Sequence, residues 1–123
     1  MSADLQAAEW AEVAALAAAD KKATDIVAFD VSDVLVITDI FVVCTAANHP
    51  QLLAVVDEVE RRLKSAGAPT PRREGKGEGT WVLLDFIDLV VHVQLPDART
   101  TYDLERLWRD QPQISLPYSV TQV

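Results

Sequence analysis

Residues 39–46 read Asp39-Ile40-Phe41-Val42-Val43-Cys44-Thr45-Ala46 and set the expectation of a β-sheet. Apolar side chains occupy both alternating faces of this run, which is typical of a strand that is covered on both sides. A second short β-branched run, residues 26–31, precedes it across a Ser32-Asp33 turn. We therefore predict two strands, the second of them central in its sheet.

Helical patterns lie on both sides of these strands. Residues 4–22 are rich in alanine, and Asp4 is placed to cap the first turn. Between 49 and 66, apolar residues recur every three or four positions, with Asn48 as a cap and Gly67 as a stop. Both segments are predicted to be helices.

The C-terminal half adds a hairpin and a shorter helix. Residues 68–79 contain two prolines and three glycines without periodicity, which predicts a mobile loop. Residues 81–85 and 89–94 flank a tight connection and predict a hairpin of core strands. Residues 98–109 predict a helix. Its apolar stripe comprises Leu104, Leu107 and Trp108.

The order α, β, β, α, loop, β, β, α predicts an α/β fold: a single domain with a mixed β-sheet flanked by helices. A chain of 123 residues has room for one core. We expect residues 1–110 to form the domain. Residues 111–123, which include Pro112 and Pro117, are expected to form a flexible C-terminal tail.

The charge balance disfavours non-specific binding to nucleic acid or to anionic membranes, because the net charge is −8. Six basic residues and one acid lie between Arg61 and Lys76, which gives +5 locally and −13 elsewhere. This split suits a two-surface binder, with protein contact through the acidic side and a minor RNA contact through the basic loop Arg72–Lys76. Charge alone nevertheless favours the alternative of a solvated helix end and loop that bind nothing, because charge runs usually only confer solubility.

The N-terminal residues lack a secretory or organellar signal, and no apolar run approaches the roughly 18 residues of a bilayer span. The single cysteine, Cys44, fits a reducing compartment. We expect a cytoplasmic protein with no membrane contact.

Patterns of catalysis are weak. Cys44, His49 and His92 lack zinc-site spacing, the glycines at 75–79 lack the Gly-Lys-Ser/Thr ending of a phosphate-binding loop, and no strand carries Asp-x-Asp. We expect no catalytic residue, no metal and no cofactor.

Trp81 and Tyr102 have polar neighbours in the sequence, which favours a role as interface anchors, although Trp81 equally suits the start of a strand. Trp108 is expected in the core.

Five blocks of the sequence together resemble the ribosomal silencing factor, or Iojap, family. The blocks run in the family's order and span most of residues 5–110. They are DIVAFDVS from Asp25, ITDIFVVCT from Ile37, EGTWVLLD from Glu78, DLVVHV from Asp88 and YDLERLW from Tyr102.

The resemblance implies a non-enzymatic factor that binds the free large ribosomal subunit through ribosomal protein fourteen, a basic protein on the face that meets the small subunit. Occupying that face blocks subunit joining and silences translation when nutrients are scarce. The resemblance also implies a nucleotidyltransferase-like fold without the active site. It leaves open whether the free protein forms a homodimer.

By position, the resemblance places the partner-binding face on the hairpin and the last helix. The residues it assigns are Trp81, Leu83, Asp85, Asp88, His92, Tyr102 and Glu105. The chain departs from the family at Asn48-His49-Pro50-Gln51, where an arginine is usual, and at Ile87, where the family usually has glycine before the aspartate. A rival interpretation is a degenerate nucleotidyltransferase-like enzyme or nucleotide-binding regulator that uses acidic strand ends.

Overall fold

Nine elements of secondary structure build the domain in a computed structural model that describes residues 4–76, 79–117 and 120. In chain order they are α1 (Leu5–Asp20), β1 (Thr24–Asp30), β2 (Ile40–Thr45), α2 (His49–Ser65), β3 (Arg72–Lys76), β4 (Trp81–Asp85), β5 (Leu89–Gln94), α3 (Pro96–Tyr102) and α4 (Leu104–Trp108). Asp4 and Asn48 cap α1 and α2 by accepting hydrogen bonds from the main chain of Gln6 and Gln51, as their positions predict.

The five strands form one mixed sheet in the order β1-β2-β5-β4-β3. The β2–β5 pair is parallel and the other three pairs are antiparallel. The apolar run 40–45, which forms β2, therefore lies in the interior of the sheet between β1 and β5. The predicted α/β fold with a mixed sheet is confirmed.

One face of the sheet is covered by α1 and α2. Six small alanine side chains of α1 are buried, and so are Leu52, Val56 and Leu63 of α2; the alanines are Ala7, Ala11, Ala14, Ala15, Ala17 and Ala18. They pack in one cluster with Val42, Cys44, Leu84 and Val91 from the strands. The three-to-four spacing of α2 thus marks its buried side, as predicted.

The opposite face of the sheet has a smaller cover. A second cluster there consists of Val43, Trp81, Ala98 and Leu104, with Val27 and Trp108 against it. Because α3 and α4 are short, they leave Phe41, Leu83 and Val90 half-buried on the same face. This partly open face carries the candidate site.

Two predictions about local structure are wrong. Part of the predicted mobile loop is an edge strand, because β3 pairs in antiparallel register with β4, from Arg72 opposite Asp85 to Lys76 opposite Trp81. This pairing is made by the main chain, so the polar side-chain pattern gave no sign of it. The single predicted helix over 98–109 is divided at Asp103, whose φ is 44°, and Leu107 is 67% exposed instead of buried.

The segment after Asp110, predicted to be a loose tail, lies along the outer edge of β1. The amide of Asp30 donates to the carbonyl of Pro112, and the amide of Ile114 donates to the carbonyl of Ala28, each at 2.8 Å. Ile114 and Leu116 also pack against the main core. Residues 112–116 are therefore part of the folded domain.

Candidate protein-binding surface

Four of the predicted site residues share the partly open face of the sheet. Trp81, Leu83 and Asp85 alternate along β4, so their side chains leave the strand on one side. His92 on β5 stands directly opposite Leu83 and leaves on the same side. The resemblance therefore assigned residues that the sheet does bring together.

Trp81 is a buried member of an aromatic cluster and is not an exposed anchor. Its indole nitrogen donates to Nδ1 of His92 at 3.1 Å, and its side chain is only 9% exposed. Tyr102 lies over it with ring centroids 4.7 Å apart and is 45% exposed. Any direct contact with a partner at this position falls to Tyr102, with Trp81 supporting it from below.

Phe41 extends the aromatic cluster along the sheet. Its ring meets the rings of His92 and Trp108 edge-on, with centroids 4.9 and 5.4 Å away. Trp108 is half-buried, which agrees in part with its expected place in the core. The aromatic cluster, which we define as Phe41, Trp81, His92, Tyr102 and Trp108, fixes α3 and α4 on the sheet.

The three predicted acidic residues differ in their surroundings. Glu105 bonds Arg99 at 2.8 Å, and the largely buried guanidinium of Arg99 also donates to the Thr45 hydroxyl. Asp85 accepts the amide of Ile87 at 2.8 Å and lies 3.5 Å from Arg72. Asp88 is exposed and forms no ion pair with any residue that the structure describes. Asp88 is therefore the acid most available to a partner.

The predicted residues divide between the two ends of β4. Trp81 and Asp85 are about 13 Å apart, because a strand advances by about 3.4 Å per residue. Tyr102 lies at the Trp81 end and Asp88 at the Asp85 end. A partner that touched all of them would have to span the length of the strand.

Exposed apolar residues that sequence reasoning missed lie at the Asp85 end. Ile87, in the β4–β5 turn, is 64% exposed and has a φ of 78°. Val36 and Ile37, in the connection between β1 and β2, are 101% and 81% exposed. The sequence does indicate exposed apolar side chains here, because the apolar run Val34-Leu35-Val36-Ile37 lies in a connection and outside any predicted strand.

Acids surround the basic segment between Arg61 and Lys76 in space. Arg73 pairs with Asp57 and Glu60, and Arg72 pairs with Glu74 and Asp85. Arg61 and Arg62 both donate hydrogen bonds to the carboxylate of Glu58, and these bonds lower its pKa to about 2. The positive charge counted along the sequence is thus largely neutralised on the surface.

Chemistry at the other candidate residues is limited by burial. Desolvation raises the pKa of the fully buried Cys44 thiol to about 12, so it is held as an unreactive thiol.

In the described parts of the chain, three or more His, Cys, Asp or Glu side chains do not come together in any group that could hold a metal. The described helices include none that is long and apolar enough to cross a bilayer.

The sequence matches the model of a family described as "Ribosomal silencing factor during starvation" over residues 4–122. The chain belongs to the ribosomal silencing factor family. The match continues past Asp110, so the family's domain includes the segment along β1 that the sequence resemblance had left outside.

Known members of the ribosomal silencing factor family resemble this chain over most of its length. A ribosomal silencing factor of Bacillus subtilis is 36% identical over 90% of this chain and 94% of its own length. A crystal structure of a protein from Chromobacterium violaceum superposes with a TM-score of 0.77 at 37% identity, covering 82% of this chain and 84% of that one.

A more distant relative carries a different name. The mouse protein named mitochondrial assembly of ribosomal large subunit protein 1 is 34% identical over 72% of this chain and 40% of its own length.

Proposed function

We propose that this protein represses translation by binding the large ribosomal subunit through ribosomal protein fourteen and sterically blocking association with the small subunit when nutrients are limiting. The observation that carries the proposal is the partly open sheet face beside β4, where half-buried Leu83 and exposed Tyr102 and Asp88 lie on a chain of net charge −8. Family membership and the large-subunit name of the mouse relative support it.

The chemistry of the face suits a basic protein. Apolar and aromatic area provides affinity, and acidic groups around it speed the encounter with a positively charged surface. Asp88 is free to act in this way, whereas Asp85 and Glu105 also hold the turn and α3 in place. Ribosomal protein fourteen, as a basic partner, fits this surface.

Contact with ribosomal RNA is a minor part of the proposal. The guanidinium groups of Arg72 and Arg73 are shared with acids of β3, β4 and α2. Such pairs lower the net positive potential that attracts phosphate. We therefore assign the main contact to protein and propose a cytoplasmic protein without enzymatic activity.

Co-sedimentation with purified ribosomal particles tests the proposal. The protein should sediment with free large subunits and should be absent from the small-subunit and intact-ribosome fractions, because subunit joining hides its target. Equal recovery with intact ribosomes would contradict the steric mechanism. A parallel calorimetric titration with Mg²⁺ and nucleoside triphosphates should give no heat of binding, and measurable heat would favour a nucleotide-binding function.

A further inference from the structure

We infer that the partner-binding surface continues past the predicted residues onto the end of the sheet formed by Val36, Ile37 and Ile87, and that this apolar end receives a basic, apolar-bearing segment of the same ribosomal protein. The inference rests on the proposed function. It concerns three residues that the resemblance does not assign.

Hydrogen bonds join the two segments of the apolar end. The amides of Asp39 and Ile40 both donate to the carbonyl of Asp88, at 3.0 and 3.2 Å. This brings the β1–β2 connection alongside the β4–β5 turn, with Ile37 two residues before Asp39 and Ile87 one residue before Asp88. The two turns therefore lie side by side at one end of the sheet, although about fifty residues separate them in sequence.

Exposure of these side chains is unusual for a small domain. Val36 and Ile37 are almost wholly in solvent, and Ile87 is nearly two-thirds exposed. Single exposed apolar residues need no explanation, but a group of them on adjoining turns is typical of an interaction surface. The end is also continuous with the predicted face, because Ile87 lies between Asp85 and Asp88.

The backbone of Ile87 adds an independent observation. A φ of 78° is in the left-handed region, which a β-branched residue occupies only at a cost. Glycine or asparagine would fit this turn without strain. A strained conformation that presents an apolar side chain to solvent is typical of a functional site.

Charge decides between the occupants of the apolar end. Asp88, next to Ile87, is exposed and forms no ion pair with any described residue, and the stretches 30–41 and 85–89 contain no lysine or arginine. A second copy of this chain would bring like charges together, which is unfavourable. A basic protein segment would pair with Asp88 and cover the apolar area.

The double variant V36S/I37S tests the inference, with Leu53→Ser as its matched control. Leu53 is 41% exposed on α2, on the opposite side of the sheet. Binding of wild type and both variants is measured to purified large subunits and to isolated ribosomal protein fourteen, after equal melting temperatures have been verified. V36S/I37S should raise Kd about tenfold on both targets, as loss of buried interface residues does, and Leu53→Ser should bind like wild type.

Three results would overturn the inference without affecting the proposed function. One is unchanged binding by V36S/I37S, and another is a loss seen with whole subunits but not with the isolated protein. The third is a self-association of the wild type in analytical ultracentrifugation that V36S/I37S abolishes while subunit binding stays normal. If the wild type binds neither large subunits nor isolated ribosomal protein fourteen, the proposed function and this inference are both overturned.

Discussion

The two ends of β4 present opposite kinds of apolar surface. At the Trp81 end, aromatic side chains are packed against one another, and Trp81 is 9% exposed. At the Asp85 end, Val36, Ile37 and Ile87 stand in solvent on two turns. The first end holds helices on the sheet, whereas the second has apolar area that the described fold does not use. A large aromatic side chain with polar neighbours in the sequence, such as Trp81, can therefore belong to the core and not to the exposed surface.

Loss of the Trp81 indole should have the largest effect on the stability of the protein. Trp81→Ala removes a buried indole and its bond to His92, so the free energy of unfolding should fall by about 3–5 kcal/mol. Tyr102→Ala is the matched control, because its half-exposed ring should cost only about 0.5–1.5 kcal/mol. Urea titration measures both. Equal losses would mean that Trp81 is no more a structural residue than Tyr102.

The same pair of residues separates contact from support in binding. Tyr102→Ala should weaken binding to large subunits by about 1–3 kcal/mol while the protein remains folded, as exposed aromatic anchors do. Trp81→Phe keeps an aromatic ring in the cluster and should weaken binding less than Tyr102→Ala. The reverse order would show that the indole itself reaches the partner.

Sequence patterns predicted the elements whose side chains face a core. Burial is visible in the residue types of β2 and in the apolar spacing of α2, and capping is visible in Asn48. The edge strand β3 and the segment at 112–116 are held by main-chain hydrogen bonds, which leave no comparable pattern. Their pairing with other strands is therefore visible only in the structure.

The candidate site was predictable to a similar degree. Alternation along β4 correctly places Trp81, Leu83 and Asp85 on one side, but alternation cannot say that α3 and α4 cover Trp81 and leave Leu83 partly open. The apolar end depends on two turns that meet only because β2 and β5 are parallel neighbours. Neither fact is contained in a local stretch of sequence.

At the Asp85 end, the strained backbone of Ile87 predicts a smaller change in stability. Ile87→Gly should stabilise the fold by about 1 kcal/mol, because the left-handed conformation costs a non-glycine residue about 1–2 kcal/mol. The gain is smaller than this cost, since glycine loses more conformational entropy than isoleucine when the chain folds. Asp103→Gly is the control, since aspartate tolerates its φ of 44° better and should gain less. Thermal melts measure both gains. A destabilised Ile87→Gly would show that the isoleucine side chain supports the turn.

Charge at the Asp85 end should act mainly on association rate. Asp88→Lys reverses an exposed acid that has no ion pair among the described residues, so it should slow association with ribosomal protein fourteen about fivefold at low salt, with little change in dissociation. The difference should shrink as ionic strength rises, because salt screens exposed charges. Stopped-flow kinetics at two salt concentrations measure this. An unchanged association rate would place Asp88 outside the encounter surface.

The smallest effect concerns β3, which borders the Asp85 end but carries opposite charge. Replacing Arg72 and Arg73 by alanine breaks surface pairs with Asp85 and Glu60, and each such pair contributes roughly 0–1 kcal/mol. Binding to the isolated ribosomal protein should therefore stay within a factor of two. Binding to whole large subunits should change equally little, because these guanidinium groups are already neutralised by acids. A loss confined to whole subunits, together with a shallower salt dependence, would show instead that β3 gives up its internal pairs to reach RNA phosphates.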